Sequence, residues 1–166
     1  YKVTGVQTCA LPICRGRHLL RPGRPAPRWM GGTPHPARRP LFAILIRMDV
    51  INQREAVPFT TADGSTIREL LAHRNSSIRK QSLAEARLAP GQSTTPHHHK
   101  VTEEIYYILT GTALMTLAGE TRPVGPGDAI AIPPGMIHTI KNTGSVELVF
   151  LCTCAPGYEH TDTFLE

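Results

Sequence analysis

The chain has 166 residues, 40% of them hydrophobic, which allows one domain with a real core and is too short for two ordinary ones. Its formal net charge of +5 suggests nucleic acid only until it is divided along the chain. Residues 1–47 hold nine of the 18 Lys and Arg and no Asp or Glu, so the remainder sets nine basic residues against all 13 acidic ones and is mildly acidic.

Residues 1–47 also carry seven of the 15 prolines, among arginines and glycines with no sustained apolar period. They read as a non-native or disordered extension. Residues 3–13, VTGVQTCALPI, resemble the translation of a common sequencing-adapter oligonucleotide, so 1–13 are set aside as adapter-like. Met48 is then a plausible start and 48–166 the single folded domain. A basic arm for nucleic acid is the rival reading, but aromatic interleaving is missing and no nucleic-acid partner is expected. The apolar run 41–46 is far shorter than a membrane span, so no membrane partner is expected either. Cys9 and Cys14 fall in the extension, leaving Cys152 and Cys154 in the domain. Two residues apart on a strand they would strain a disulfide, so reduced thiols packed in the core, in a cytoplasmic setting, are expected.

From residue 57 onward turn signals recur at short intervals: Asp63-Gly64, Pro90-Gly91, Gly119, Gly125-Pro126-Gly127-Asp128, Pro133-Pro134-Gly135 and Thr143-Gly144. Between them lie β-rich runs at 65–71, 81–88, 104–109, 112–117, 129–132, 137–141 and 146–153. Short strands at that spacing predict an all-β sandwich or barrel. Residues 82–89 have some helical character in their Ala and Leu content but read as a long strand leading towards a histidine cluster.

That cluster is the most informative feature. His97 and His99 are one residue apart, so on an extended strand both imidazoles face one side and His98 the other. Glu104 follows after enough chain to turn and begin the next strand. His138 follows the rigid bend Pro133-Pro134-Gly135, which can aim a later strand at the same point. Imidazoles and a carboxylate converging in this way suit one divalent cation, with Fe, Mn, Ni, Zn and Cu all compatible with the donors. Glu103 is the rival for the carboxylate.

The pattern resembles both sequence motifs of the cupin superfamily. Gly91, His97, His99, Glu104 and Gly111 match the first, and Gly127, Pro133, Gly135, His138 and Asn142 the second. The resemblance implies a double-stranded β-helix, or jelly-roll barrel, with His97, His99, Glu104 and His138 holding a metal inside it. It also implies a small polar substrate or ligand and a homodimer formed through edge strands. The function expected is that of a small-molecule metalloenzyme: a dioxygenase, or an isomerase or lyase of a sugar or of a hydroxy or keto acid. A non-catalytic binding or sensing barrel is the alternative. Tyr106, Arg68, Glu85 and His160 are the candidate acid-base groups. By strand alternation Tyr106 and Ile108 should face inward with Glu104, and Met136 and Ile140 should flank His138. Tyr158, His160 and Asp162 read as a polar tail.

Overall fold

The structure is a computed structural model and describes residues 48–166, which belong to one compact unit. The readings made for 1–47 lie outside the described residues. Among the described residues eleven strands run in chain order: β1 Phe59–Thr60, β2 Thr66–Leu71, β3 Ser82–Leu88, β4 His97–His99, β5 Glu103–Thr110, β6 Ala113–Leu117, β7 Glu120–Val124, β8 Ala129–Ile132, β9 His138–Asn142, β10 Leu148–Ala155 and β11 Thr163–Leu165. A 3-10 turn, His160–Asp162, precedes the last of them. Two antiparallel sheets result, ordered β1-β2-β3-β10-β5-β8 and β11-β4-β9-β6-β7. This is the all-β architecture anticipated from strand spacing and the jelly-roll arrangement that the family resemblance implies.

Alternation decides which side chains meet between the sheets. On β5 the buried residues are Glu104, Tyr106 and Ile108, while Ile105, Tyr107 and Leu109 are exposed. On β10 the same period buries Leu148, Phe150, Cys152 and Cys154. Tyr106, Ile108, Leu148, Phe150 and Cys152 pack with Ala86, Leu88, Ala113, Met115, Ile132 and Ile140 in one apolar cluster. Cys152 and Cys154 are free and buried.

The chain passes from β5 in one sheet to β6 in the other through Gly111-Thr112. Gly111 has φ +87°, and a Cβ there would lie 2.9 Å from Leu148 Cα and 3.0 Å from the Glu147 carbonyl oxygen. Only glycine satisfies both the backbone angle and the close approach. Asn142, fully buried at the end of β9, donates through Nδ2 to the carbonyls of Leu88 and Val146 and accepts from the Gly144 N–H. The motif glycine and asparagine thus fasten the corners of the barrel rather than doing chemistry. Among the described residues no helix is long and apolar enough to cross a membrane.

Candidate metal centre

Strands β4 and β9 pair antiparallel with His97 opposite His138, although the two are distant in sequence. Their rings are 4.2 Å apart, and His99, on the same face of β4, is 5.4 Å from His97 and 5.7 Å from His138 between ring centres. The bend before β9 is fixed to β4, because the Gly135 N–H donates to the His99 carbonyl at 2.6 Å. The ligand nitrogens of the three histidines lie within 4.8 Å of one another, and all three residues are buried.

Each imidazole is oriented through its Nδ1. That atom lies 2.8 Å from the Thr95 carbonyl in His97, 3.2 Å from the Asp162 carbonyl in His99 and 3.0 Å from the Met136 carbonyl in His138. A carbonyl oxygen only accepts, so Nδ1 carries the proton and each Nε2 keeps its lone pair for a metal.

Glu104 enters from the opposite sheet. Its Oε2 is 3.4 Å from His99 Nε2 and 3.5 Å from His138 Nε2, while Oε1 is 3.5 Å from the Cys154 thiol. Glu104 Oε2 and His138 Nε2 are buried without a hydrogen-bond partner. Two unsatisfied acceptors facing each other in a buried site are costly unless a cation lies between them. The donor set therefore fits a divalent ion, with three neutral nitrogens and one anionic oxygen.

Electrostatics follow from the same contacts. Burial would raise the Glu104 carboxyl, but the imidazoles of His138 and His99 more than offset it and hold the group at about 2. Burial, together with the His138 and His99 imidazoles, lowers His97. His99 is also pulled down by burial, yet Glu104 and the Asp162 carbonyl outweigh this and raise it.

A cavity of about 50 Å³ adjoins the centre. That is several times the space one water needs, enough for a ligand of a few heavy atoms. Tyr106 lines it, edge-on to His138 at 5.9 Å, and burial followed by the charge of Glu104 raises its phenol well above the ordinary value. The other acid-base candidates stand elsewhere. Arg68 and Glu85 face each other across β2 and β3, on the side opposite the cavity-lining Ile67, Ala84 and Ala86. There Glu85 is covered by Gln53 and paired with Arg87 at 2.6 Å. Alternation was read correctly, but absolute facing was not available from it. His160 is exposed at the rim beside Phe59 and does not line the cavity.

Two further expectations are corrected. Met136 does not flank His138 inside the barrel: β9 begins at His138, and Met136 is exposed in the preceding turn. The segment 158–166 is not a loose polar tail. β11 pairs with β4, Tyr158 lines the cavity, and the Asp162 carboxylate accepts from the backbone N–H groups of Lys100, Val101 and Thr102. Asp63, taken from sequence only as part of an Asp-Gly turn, is buried and also lines the cavity.

The fold and the centre together define a β-barrel with a candidate metal site, and comparison with known proteins identifies the family. The family model described as a cupin domain matches residues 84–154. An uncharacterized protein of Methanocaldococcus jannaschii is 51% identical over 106 residues, covering 64% of this chain and 85% of its own. The chain belongs to the cupin family. Among solved structures, one from Thermotoga maritima described as a predicted oxalate decarboxylase is 28% identical, with TM-score 0.59, covering 65% of this chain and 99% of that one. The polyketide cyclase RemF of Streptomyces resistomycificus is 27% identical, with TM-score 0.57, covering 66% of this chain and 80% of its own.

Proposed function

We propose that the protein is a metal-dependent enzyme acting on a small polar molecule, by isomerase or lyase chemistry at the centre formed by His97, His99, Glu104 and His138. The observation that carries this reading is the outward turn of all three Nδ1–H groups to backbone carbonyls, which points three Nε2 lone pairs and the unpartnered Glu104 oxygen at one place. A divalent ion bound there would act as a Lewis acid on a ligand carbonyl or hydroxyl.

The chain's own residues supply the rest. His97 and His138 are locked in orientation by the Thr95 and Met136 carbonyls, so the donors are already placed before a ligand arrives. Ala84, Ala86 and Phe150 give the cavity an apolar wall that excludes water. Tyr106 keeps its proton and is the group suited to donate a hydrogen bond to a ligand oxygen. The similar solved proteins include a cyclase and a predicted decarboxylase, which supports catalysis within this family. A binding barrel without turnover is the second reading, favoured by the absence of Arg68, Glu85 and His160 from the cavity lining. A homodimer belongs to the proposal as well, with exposed Ile105, Tyr107 and Leu109 offering an apolar face on β5.

The test begins with anaerobic reconstitution using Mn, Fe, Ni, Zn and Cu in turn. Calorimetry on wild type, His138→Ala and Glu104→Gln should give stoichiometric uptake only in wild type. Turnover of sugars and of hydroxy or keto acids is then followed with and without oxygen. Oxygen-independent turnover that falls in Tyr106→Phe with metal affinity unchanged is expected. Oxygen uptake would move the reading to a dioxygenase, and binding without turnover would move it to the second reading.

A further inference from the structure

One buried ionisable group is unused by that mechanism. Asp63, between β1 and β2, is 7% exposed. Its Oδ1 accepts from the Thr61 hydroxyl, from the Ser65 N–H at 3.1 Å and from the Ser65 hydroxyl at 2.9 Å. Oδ2 takes none of these bonds and lies 4.0 Å from His97 Nε2 at the cavity wall. Since His97 Nδ1 is bound to the Thr95 carbonyl, its Nε2 turns a lone pair, not a proton, towards that oxygen.

No Lys or Arg among the described residues lines the cavity. Of the other two acidic residues of the wall, Glu69 is paired with Arg74 at 2.5 Å, while Glu104 faces the Nε2 atoms of His99 and His138 and has no Lys or Arg beside it. Asp63 has no Lys or Arg partner either: hydrogen bonds serve its Oδ1, but Oδ2 faces only His97, and a cation bound beside it would offset the charge of that buried oxygen. Three neutral imidazoles and the Glu104 carboxylate leave a divalent ion with one positive charge. Asp63 cancels it.

Resting on the metal-centre reading above, we propose that Asp63 sets the charge class of the ligand. It tightens the metal and makes the loaded cavity electroneutral, so that a neutral or singly charged oxygen-donor molecule is accepted and a dianion is disfavoured. The apolar wall of Ala84, Ala86 and Phe150 sharpens this selection, because it screens charge poorly.

The test titrates Mn²⁺ into the full wild-type chain and into Asp63→Asn, then titrates both loaded proteins with oxalate, a dianion, and oxamate, a monoanion of nearly the same shape. The asparagine amide oxygen can still accept from Ser65 and Thr61. Mn²⁺ affinity should fall by at least roughly tenfold in Asp63→Asn, and the oxalate-to-oxamate affinity ratio should rise by at least roughly tenfold over wild type. If the variant does not fold, the wild-type ratio is compared with that of aqueous Mn²⁺. A ratio at least about tenfold lower in the protein supports the assignment, and one equal or higher overturns it. An unchanged ratio in folded Asp63→Asn overturns the assignment and leaves the metal centre standing. Wild type that takes up no Mn²⁺ overturns both.

Discussion

Removing the Asp162 carboxylate tests whether the C-terminal segment builds the site or merely covers it. In Asp162→Ala, the N–H groups of Lys100, Val101 and Thr102 lose an acceptor that holds them at 3.0–3.3 Å. Those residues join His99 to Glu104, so the loop sets the distance between two donors. Hydrogen bonds to a charged group contribute about 1.5–3 kcal/mol each. Lys100 and Val101 are exposed, however, so water can serve their amides, and the expected net loss is about 2 kcal/mol in all. That corresponds to roughly 8 °C in Tm for a domain of this size. Asp162 also offers its carbonyl to His99 Nδ1, and loosening such a support should weaken metal binding by about tenfold. Burial opposes ionisation of Asp162, but the N–H groups of Thr102, Val101 and Lys100 prevail and lower its pKa. Its contribution is therefore present above the ordinary carboxylate range and is lost as pH falls through the lowered value, so the Tm deficit of the variant should shrink in acid. Thermal scans from neutral to acid pH and calorimetric metal titration provide the check. A variant with wild-type Tm and wild-type metal affinity would refute the reasoning.

Glu104, held at about 2 against an ordinary 4.5, stabilises the metal-free protein above pH 4.5 and loses that contribution as pH falls towards 2. Glu104→Gln should accordingly flatten the acid-denaturation profile of metal-free protein between those values, as followed by circular dichroism. Gly111→Ala must adopt a strained φ and displace the Leu148 backbone, which should cost about 3 kcal/mol in urea unfolding. Burial, followed by the nearby Glu104 charge, raises both Cys152 and Cys154, so neither thiol should react with a disulfide reagent until the protein unfolds. Peptide mapping would distinguish them from Cys9 and Cys14.

The residues of the centre were legible because metal chemistry restricts residue type and strand geometry restricts spacing. His97 and His99 share a face for the same reason that His98 does not. Seven strands were visible as β-rich runs between turn signals, with ends displaced by one or two residues. Those missed were short or atypical. β1 has two residues and β11 three, while β7 contains Pro123 and is an edge strand, where a missing N–H is tolerated. Facing was harder to read than strand position. Arg68 and Glu85 obey alternation but occupy its other phase, and a sequence carries no absolute phase. Asp63 and Tyr158 reach the cavity only through long-range placement of a turn and of the chain end, for which local pattern holds no signal.

The donors come from both layers: His97, His99 and His138 stand on the five-stranded sheet and Glu104 on the six-stranded one. An ion gripped by all four would rivet the two layers together, and the unfolded chain offers no comparable grip. Occupancy would then add about 2.7 kcal/mol to folding at a free-ion concentration one hundred times Kd. The same barrel should be sturdy in metal-replete surroundings and measurably softer under starvation, which makes its thermal endurance a gauge of ion supply.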